Sequence, residues 1–224
     1  MSRAFAKLIS EYRTSNDIEV IGNVVDFDRF KPCEQKPHQG MRFLTICHMN
    51  TRDQLLKKGM DILLEAWRDY SVKDPAAKLI IGGGGHAMQK AVEWSRKFGV
   101  EQTVEFAGQL SREQVVEQMQ ACDVFVLPSR YETFGVVYIE AMACGKPVIA
   151  VANGGPDDFV TGENGILISA DDVESLKCAL RQICGQYESY DVNTIRQCVQ
   201  NEFSTLAIAK QLDQLYREVV GKGF

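Results

Sequence analysis

The sequence predicts an α/β domain with a doubly wound parallel sheet of about six strands and helices on both faces. Short, nearly continuous apolar segments recur along the chain, as is typical of strands that are covered on both faces. Longer segments with helical periodicity alternate with them, which indicates βαβ units with right-handed crossovers. The chain has 224 residues, of which 45% are hydrophobic, so a sizeable core can be buried.

The individual elements follow in order from these segments. Strands are predicted at 43–48, 78–82, 103–106, 123–128, 147–151 and 166–168, and helices near 59–73, 86–98, 112–121, 136–144 and 172–185. The C-terminal part is predicted to form two helices that separate near Phe203, because Ser204 can cap the second one. We therefore divide the chain into an N-terminal helix (1–17), a main α/β domain (18–204) and a C-terminal helix (205–224).

Charge and composition exclude several classes of protein. The formal net charge of -5 arises from 25 basic and 30 acidic residues, which argues against a nucleic-acid-binding surface. The seven cysteines include no CxxC pair, so neither a zinc site nor a disulfide framework is expected. No apolar run approaches the roughly 20 residues of a membrane span, and no signal peptide is recognised, so we expect a cytoplasmic protein.

The loops that follow the strands direct the search for a functional site, because ligands of open parallel sheets bind outside the carboxyl ends of the strands. The stretch "PSRYETFGVVYIEAMACGKP" (128–147) carries the strongest signal. A helix should begin near Gly135 and end at Cys144 and Gly145, since glycine commonly follows a helix end. The free N–H groups of residues 135–137 would then carry partial positive charge that suits a phosphate.

Two carboxylates flank this helix start. Glu140 lies about 7 Å inside the helix, where a carboxylate can accept hydrogen bonds from the vicinal hydroxyls of a ribose. Glu132, on the other side, can accept from hydroxyls of a group attached to the phosphate. Alternatively, Glu132 only favours the helix dipole and Glu140 is an exposed helix residue, although its apolar neighbours make a lone acid costly there. The geometry favours a sugar linked to a nucleoside diphosphate.

This stretch resembles the signature of the retaining GT-B glycosyltransferases of family 4, the glycosyl transferases group 1. That signature is "E-x-F-G-x-x-x-x-E" followed by "AMA-x-G-x-P-V". Other stretches are similar to family motifs, namely "VIGNVVDFDRFKP", "KKGMDILLEAW", "CDVFVLPS" and "NGGPDDFVTGENGILI". The resemblance covers about residues 19–185 and implies the Rossmann-like C-terminal domain of a GT-B enzyme. Such an enzyme transfers a hexosyl group from UDP- or GDP-hexose to a glycan or lipid-linked acceptor, as in polysaccharide biosynthesis.

The resemblance also implies roles for individual residues. Glu132 would contact the donor sugar at the catalytic centre, and Glu140 would bind the ribose. The remaining implied contacts are to the diphosphate, the sugar and the base, from Lys58, Gly83, Leu110, Thr133, Phe134, Gly135 and Val136. No cofactor or metal is implied beyond the nucleotide-sugar substrate, since the helix start and Lys58 can carry the diphosphate.

One position departs from the family pattern. The family usually has an arginine after the first strand that contacts the diphosphate, and His48 aligns with it here. Arg52, in a loop that looks longer than usual before Lys58, is a second residue that could supply the charge. Alternatively, His48 is a strand-end histidine that is hydrogen-bonded to backbone.

Family members place an acceptor domain before the donor domain, and residues 1–17 resemble a remnant of the interdomain region. We therefore expect this chain to bind the nucleotide-sugar weakly and not to transfer sugar alone. The absent acceptor domain would be its partner and would carry any contact with the inner face of the membrane, while the apolar face of 205–224 could pair in a dimer. Two alternatives are a non-catalytic scaffold or binding module, and a GT-B epimerase or phosphorylase domain.

Overall fold

The computed structural model describes residues 3, 6, 7, 19–34 and 37–221. Apart from Arg3, Ala6 and Lys7, the helix predicted over 1–17 lies outside these residues. Across the described part, no helix is both long enough and apolar enough to cross a bilayer.

Six parallel strands form one sheet in the order β3-β2-β1-β4-β5-β6. In chain order they are β1 (Arg42–Ile46), β2 (Lys78–Gly82), β3 (Val104–Gly108), β4 (Val124–Leu127), β5 (Val148–Val151) and β6 (Gly165–Ile168). The predicted parallel sheet is thus confirmed. Its strand order reverses between β1 and β4, which pair directly, and such a switch point opens a crevice at the carboxyl ends.

Eight α-helices whose bounds lie in the described part connect and cover the strands. They are α1 (Arg52–Lys57), α2 (Met60–Lys73), α3 (Met88–Phe98), α4 (Arg112–Ala121), α5 (Val136–Ala143), α6 (Val173–Gly185), α7 (Val192–Phe203) and α8 (Thr205–Gly221). All the helices predicted after residue 58 are confirmed, including the break at Ser204, whose hydroxyl accepts from the N–H of Ala207 at 3.3 Å.

Helix α1 corrects the prediction of a long loop before Lys58. Thr51 begins the helix because its hydroxyl accepts from the N–H of Gln54 at 3.2 Å. The Gln54 side chain in turn accepts from the N–H of Asn50 at 3.0 Å, and Leu55 is fully buried. These capping hydrogen bonds and the buried side chain of Leu55 stabilise a short helix. Six residues are too few for their periodicity to have predicted it.

The core lies on both faces of the sheet. On one face, Phe43 packs edge-on against Trp67 and Tyr70 of α2. On the other, the ring of Tyr138 in α5 packs edge-on against Phe125. Helix α5 is buried from Tyr138 to Ala143 because α7 covers its outer side. A helix that begins at the carboxyl edge is therefore fixed rigidly from its first turn onward.

The segment before β1 is fastened to the C-terminal helices. The N–H of Val25 donates to the carbonyl of Phe203 at 2.9 Å. The Arg196 guanidinium donates to the carbonyls of Phe27 and Phe30, each at 2.8 Å. Helix α8, by contrast, leaves large apolar side chains exposed, namely Leu206, Tyr216, Val219 and Val220.

Candidate functional site

A cleft of about 290 Å³ lies at the carboxyl edge of the sheet, beside the switch point. It brings together four residues that the sequence predicted as site residues: His48, Gly83, Leu110 and Glu140. The remaining lining residues are Ile46, Cys47, Gln109, Arg112, Val115 and Val137. Apolar side chains thus form part of the lining, and the polar groups converge from the loops after β1 and β3 and from helices α4 and α5.

Gly83 shapes one wall of the cleft. Its backbone has a φ of +121°, and a Cβ atom there would lie 1.9 Å from the carbonyl oxygen of Cys47. The N–H of Gly83 donates to the carbonyl of Gly108 at 2.8 Å, and the N–H of Met49 donates to the carbonyl of Gly84 at 3.0 Å. Only glycine fits this position, so the loops after β1, β2 and β3 can meet backbone to backbone.

The first turn of α5 is the segment where the sequence predicted an anion-binding site. Gly135 caps the helix with a φ of +92°, where a Cβ atom would lie 2.5 Å from the Tyr138 ring. No described group accepts a hydrogen bond from the N–H of Gly135, Val136 or Val137. These three donors and the helix dipole therefore favour a bound anion.

The two residues before Gly135 have different surroundings. The Phe134 ring is buried in an aromatic cluster with Phe159 and Phe203, so only its backbone is free to meet a ligand. The side chain of Thr133 is exposed. The ring of Phe134 therefore fixes the loop to the core, whereas the contacts predicted for both residues would be made from the loop surface.

Glu132 and Lys58 form an ion pair, with 2.8 Å between Nζ and Oε2. The Glu132 side chain is 13% exposed and that of Lys58 is 29% exposed. Lys58 follows the last residue of α1, so the pair joins the end of that helix to the loop before α5. A partly buried lysine of this kind can exchange one anionic partner for another.

Glu140 is buried, and its side chain is only 3% exposed. Its Oε1 atom lies 2.7 Å from Nη2 of Arg112, the first residue of α4. Burial raises the pKa of Glu140 above its ordinary value, while the nearby Arg112 charge acts in the opposite direction. The lone acid of an apolar helix is thus paired with a cation at the edge of the cleft.

Sequence reasoning missed two arginines. Arg112 follows Ser111 in the capping signal "SREQ" after β3. Because this signal places Arg112 at the carboxyl edge, it could have identified the residue.

Arg130 is the second arginine. Its guanidinium makes a bidentate pair with Asp61 at 2.8 and 2.9 Å, and its backbone N–H donates to the carbonyl of Lys57 at 2.7 Å. It also contacts Asp171 and the carbonyl of Leu56. Arg130 therefore fastens the loop that carries Glu132 to α1 and α2.

The structure separates the two residues considered as replacements for an arginine. His48 lines the cleft with an exposed side chain and forms no hydrogen bond with the described part of the chain, so the alternative of a backbone-bonded histidine is wrong here. Arg52 is exposed at the first position of α1 and is not among the residues that line the cleft.

The arrangement is suited to bind an anion together with hydroxyl groups. Free backbone N–H groups and Lys58 can hold an anion, and two carboxylates on either side can accept hydrogen bonds from hydroxyls. In the described part of the chain, no group of three or more His, Cys, Asp or Glu side chains has the arrangement of a metal site.

The model of the family "Glycosyl transferases group 1" matches residues 52–196, which is more than half of the chain. A GDP-mannose-dependent monoacylated alpha-(1-6)-phosphatidylinositol monomannoside mannosyltransferase from Corynebacterium glutamicum is 34% identical over 127 residues. That alignment covers 54% of this chain and 33% of the relative.

Two solved structures have the same fold. The sucrose-phosphate synthase from Thermosynechococcus elongatus superposes with a TM-score of 0.86 and 26% identity over 100% of this chain and 58% of that one. The Anabaena protein HepE, solved in complex with UDP and glucose, superposes with a TM-score of 0.81 and 20% identity over 97% of this chain and 62% of that one. The chain thus spans a third of the mannosyltransferase and about three fifths of each solved structure.

Proposed function

The chain belongs to the glycosyl transferases group 1 family, and on that premise we propose that residues 18–204 bind the nucleotide-diphospho-sugar donor of a retaining hexosyltransferase. The observation that carries this proposal is the start of α5. Three N–H groups without an acceptor in the described part of the chain lie there between two carboxylates, and each carboxylate is paired with one cation, Lys58 or Arg112.

The diphosphate of the donor would occupy the N-terminus of α5. Its charge would attract the Lys58 ammonium away from Glu132, whose Oε2 atom lies 2.8 Å from the Lys58 Nζ atom. Such an exchange would free Glu132 for the hydroxyls of the transferred sugar. Negative charge develops on the leaving diphosphate as the glycosidic bond breaks, so a fixed helix terminus and a lysine stabilise the transition state more than the ground state.

The nucleoside would extend into the cleft. Glu140 lines it and would accept hydrogen bonds from the ribose hydroxyls, as the sequence predicted. The base would lie against Leu110, which packs over Gly82 from the loop after β3. The C. glutamicum relative is named as GDP-mannose-dependent, and HepE was solved with UDP, so UDP and GDP are both used as probes.

The acceptor would be bound by a part of the enzyme that lies outside this domain. We infer this from the relatives, because the chain spans only 33% of the mannosyltransferase and 58% of the synthase. We therefore propose that the chain binds the donor but does not transfer its sugar alone. Sugar transfer by the purified chain to any acceptor would contradict this part of the proposal.

Calorimetric titration with UDP, GDP and ADP tests donor binding directly. We expect one nucleotide to bind in preference to the other two, with an affinity that decreases as salt rises because Lys58 neutralises charge. The Glu140→Gln variant should bind that nucleotide more weakly. If none of the three binds, the domain is better described as a scaffold that keeps the motif without the ligand.

A further inference from the structure

We propose that Arg112 is a positioning residue for Glu140, which keeps this carboxylate ionised and directed toward the cleft; the inference rests on the proposed ribose-binding function. None of the family motifs in the sequence includes Arg112. Its role follows from the 2.7 Å contact between Nη2 and Glu140 Oε1 and from its place in the lining of the cleft.

The location of Arg112 on its own helix is unfavourable unless it has a partner elsewhere. It is the first residue of α4, where the positive end of the helix dipole disfavours a cation. The helix start is fixed by a complete capping box, in which Ser111 accepts from the N–H of Gln114 at 3.3 Å and its own N–H donates to the Gln114 side chain at 2.8 Å. The capping box therefore determines where the Arg112 side chain emerges, and Glu140 supplies the compensating charge.

Phe30 supports the guanidinium on its other side. The Arg112 Cζ atom lies 4.7 Å from the centre of the Phe30 ring, and Phe30 is fully buried. Its carbonyl is held by Arg196 at 2.8 Å. A guanidinium over an aromatic face is attracted by the negative face of the ring. Arg112 is thus held between an aromatic face and a carboxylate, although its side chain is 48% exposed.

The charge of Glu140 depends on this partner. The other titratable side chains that face Glu140 are Cys47 and His48 from the loop after β1 and Cys144 at the end of α5. Burial raises the pKa of Cys47 to about 11 and that of Cys144 to about 12, so both thiols are neutral near pH 7. Burial also raises the pKa of Glu140, and Arg112 is the cation that opposes this effect.

Ionisation matters for the proposed function because only the charged carboxylate is a pure acceptor. Two ribose hydroxyls can then donate to it, and hydrogen bonds to charged groups are stronger than neutral ones. A protonated Glu140 would present one O–H donor and lose this match. Arg112 thus acts on the ribose through Glu140 rather than by touching it.

The test compares Arg112→Met and Arg112→Lys with the wild-type chain. Arg217→Met is the matched control, because Arg217 also pairs with a carboxylate, Asp213 at 2.8 Å, but on the exposed surface of α8. The first measurement follows the carboxyl carbon signal of Glu140 by NMR between about pH 5 and pH 9, assigned from its loss in Glu140→Gln. The second measures calorimetric affinity for UDP, GDP and their 2′-deoxy forms over the same range.

In Arg112→Met we expect the titration midpoint of Glu140 to rise by about 1–3 pH units, the usual effect of removing an adjacent opposite charge. Nucleotide affinity should fall about tenfold near pH 6 and recover near pH 9, and the preference for ribose over 2′-deoxyribose should follow the same curve. The Glu140 titration midpoint and the nucleotide affinity of Arg112→Lys should lie between those of the wild type and those of Arg112→Met. Both quantities should be the same in Arg217→Met as in the wild type. The pH series is repeated with His48→Gln, because His48 also lines the cleft.

An unchanged Glu140 titration in Arg112→Met would overturn the inference. So would a loss of affinity that is equal at every pH, because that would indicate a direct contact or a purely structural role. If neither UDP nor GDP binds the wild-type chain, the proposed function fails. The carboxyl titration then decides by itself whether Arg112 controls the charge of Glu140.

Discussion

Two buried carboxylates lie at opposite edges of the sheet and differ in how the protein satisfies them. Asp123, just before β4 at the amino edge, has a side chain that is 4% exposed, and Glu140 at the carboxyl edge has one that is 3% exposed. Asp123 accepts from the N–H of Arg42 at 2.8 Å and from the hydroxyl of Tyr187 at 3.4 Å, and it also pairs with His38 at 3.4 Å. Glu140, by contrast, pairs with one cation, Arg112, and lines the cleft.

The difference distinguishes an acid whose donors come from the protein itself from the acid that we propose binds the ligand. Asp123 joins the start of β1 to the start of β4 and to the segment after α6, and the protein itself provides its donors. The carboxylate of Glu140 is left open toward the cleft, so a ligand can provide the remaining donors. Equal burial alone would not distinguish them, because the partners decide which role a buried charge has.

Replacing Asp123 should cause the largest loss of stability. Asp123→Ala leaves the N–H of Arg42 and the hydroxyl of Tyr187 without their acceptor, and we expect the free energy of unfolding to fall by about 3 kcal/mol. Asp123→Asn keeps an acceptor and should lose less. Denaturant unfolding measures both, and nucleotide affinity of the folded protein should be unchanged. A parallel loss of affinity would remove the distinction between the two edges.

Replacing Glu140 should have the reverse pattern. Glu140→Gln removes a buried charge, so the free energy of unfolding should stay within about 0.5 kcal/mol of wild type or increase. Nucleotide affinity should fall by about 10- to 100-fold, since hydrogen bonds to charged groups contribute about 1.5–3 kcal/mol. Calorimetry and denaturant unfolding on the same samples check this. Marked destabilisation with normal affinity would make Glu140 a structural acid.

Two glycines with positive φ allow a matched comparison of the edges. A Cβ atom at Gly99, which ends α3 on the amino side, would meet no heavy atom within 4 Å at a φ of +69°. An alanine in place of Gly135 would have both a positive φ and a steric clash, because its Cβ atom would lie 2.5 Å from the Tyr138 ring. We expect Gly99→Ala to cost about 1 kcal/mol and Gly135→Ala at least 1 kcal/mol more. Thermal unfolding measures both, and equal losses would show that the approach to Tyr138 relaxes freely.

Lysines on the two edges provide a smaller test. Lys58→Met removes the cation beside Glu132 and should weaken nucleoside diphosphate binding about tenfold, with less salt dependence than wild type. Lys78→Met is the control, because Lys78 at the start of β2 donates to the carbonyl of Gln102 at 2.9 Å, far from the cleft in the fold. Calorimetry at two salt concentrations checks the pair. An equal effect of both variants would indicate general charge attraction instead of a local contact.

The smallest expected effect is on the pH dependence of stability, through the carboxyl-edge residue Glu140. The folded-state pKa of Glu140 is raised above its ordinary value of 4.5, so the folded protein binds this proton more tightly than the unfolded chain does. The contribution of Glu140 to stability is therefore present in acid and is lost as pH rises through the folded pKa. The stability of Glu140→Gln relative to wild type should increase over that range. Denaturant unfolding as a function of pH measures it, and a relative stability that falls with rising pH would reverse the sign.

Most of the architecture was predictable because it depends on local pattern. Continuous apolar runs such as "VFVL" indicate strands that are covered on both faces, and glycine beyond Cys144 marks the end of α5. The start of α5 at Gly135 was also predicted correctly, since strand, glycine and buried helix follow one another within the sequence. Helix α1 was missed because six residues carry too little periodicity, and its caps had to be seen in place.

The sequence by itself thus determined the strand and helix order, the family motifs and the identity of the two carboxylates, all of which are encoded by neighbours along the chain. Only the tertiary structure decided which cation faces which carboxylate. Lys58 and Glu132 are 74 residues apart, and Arg130 and Asp61 are 69 apart. Such contacts depend on how α1, α2 and the loop before α5 converge at one edge of the sheet. Charge pairing between elements is a property of that convergence, and no local pattern contains it.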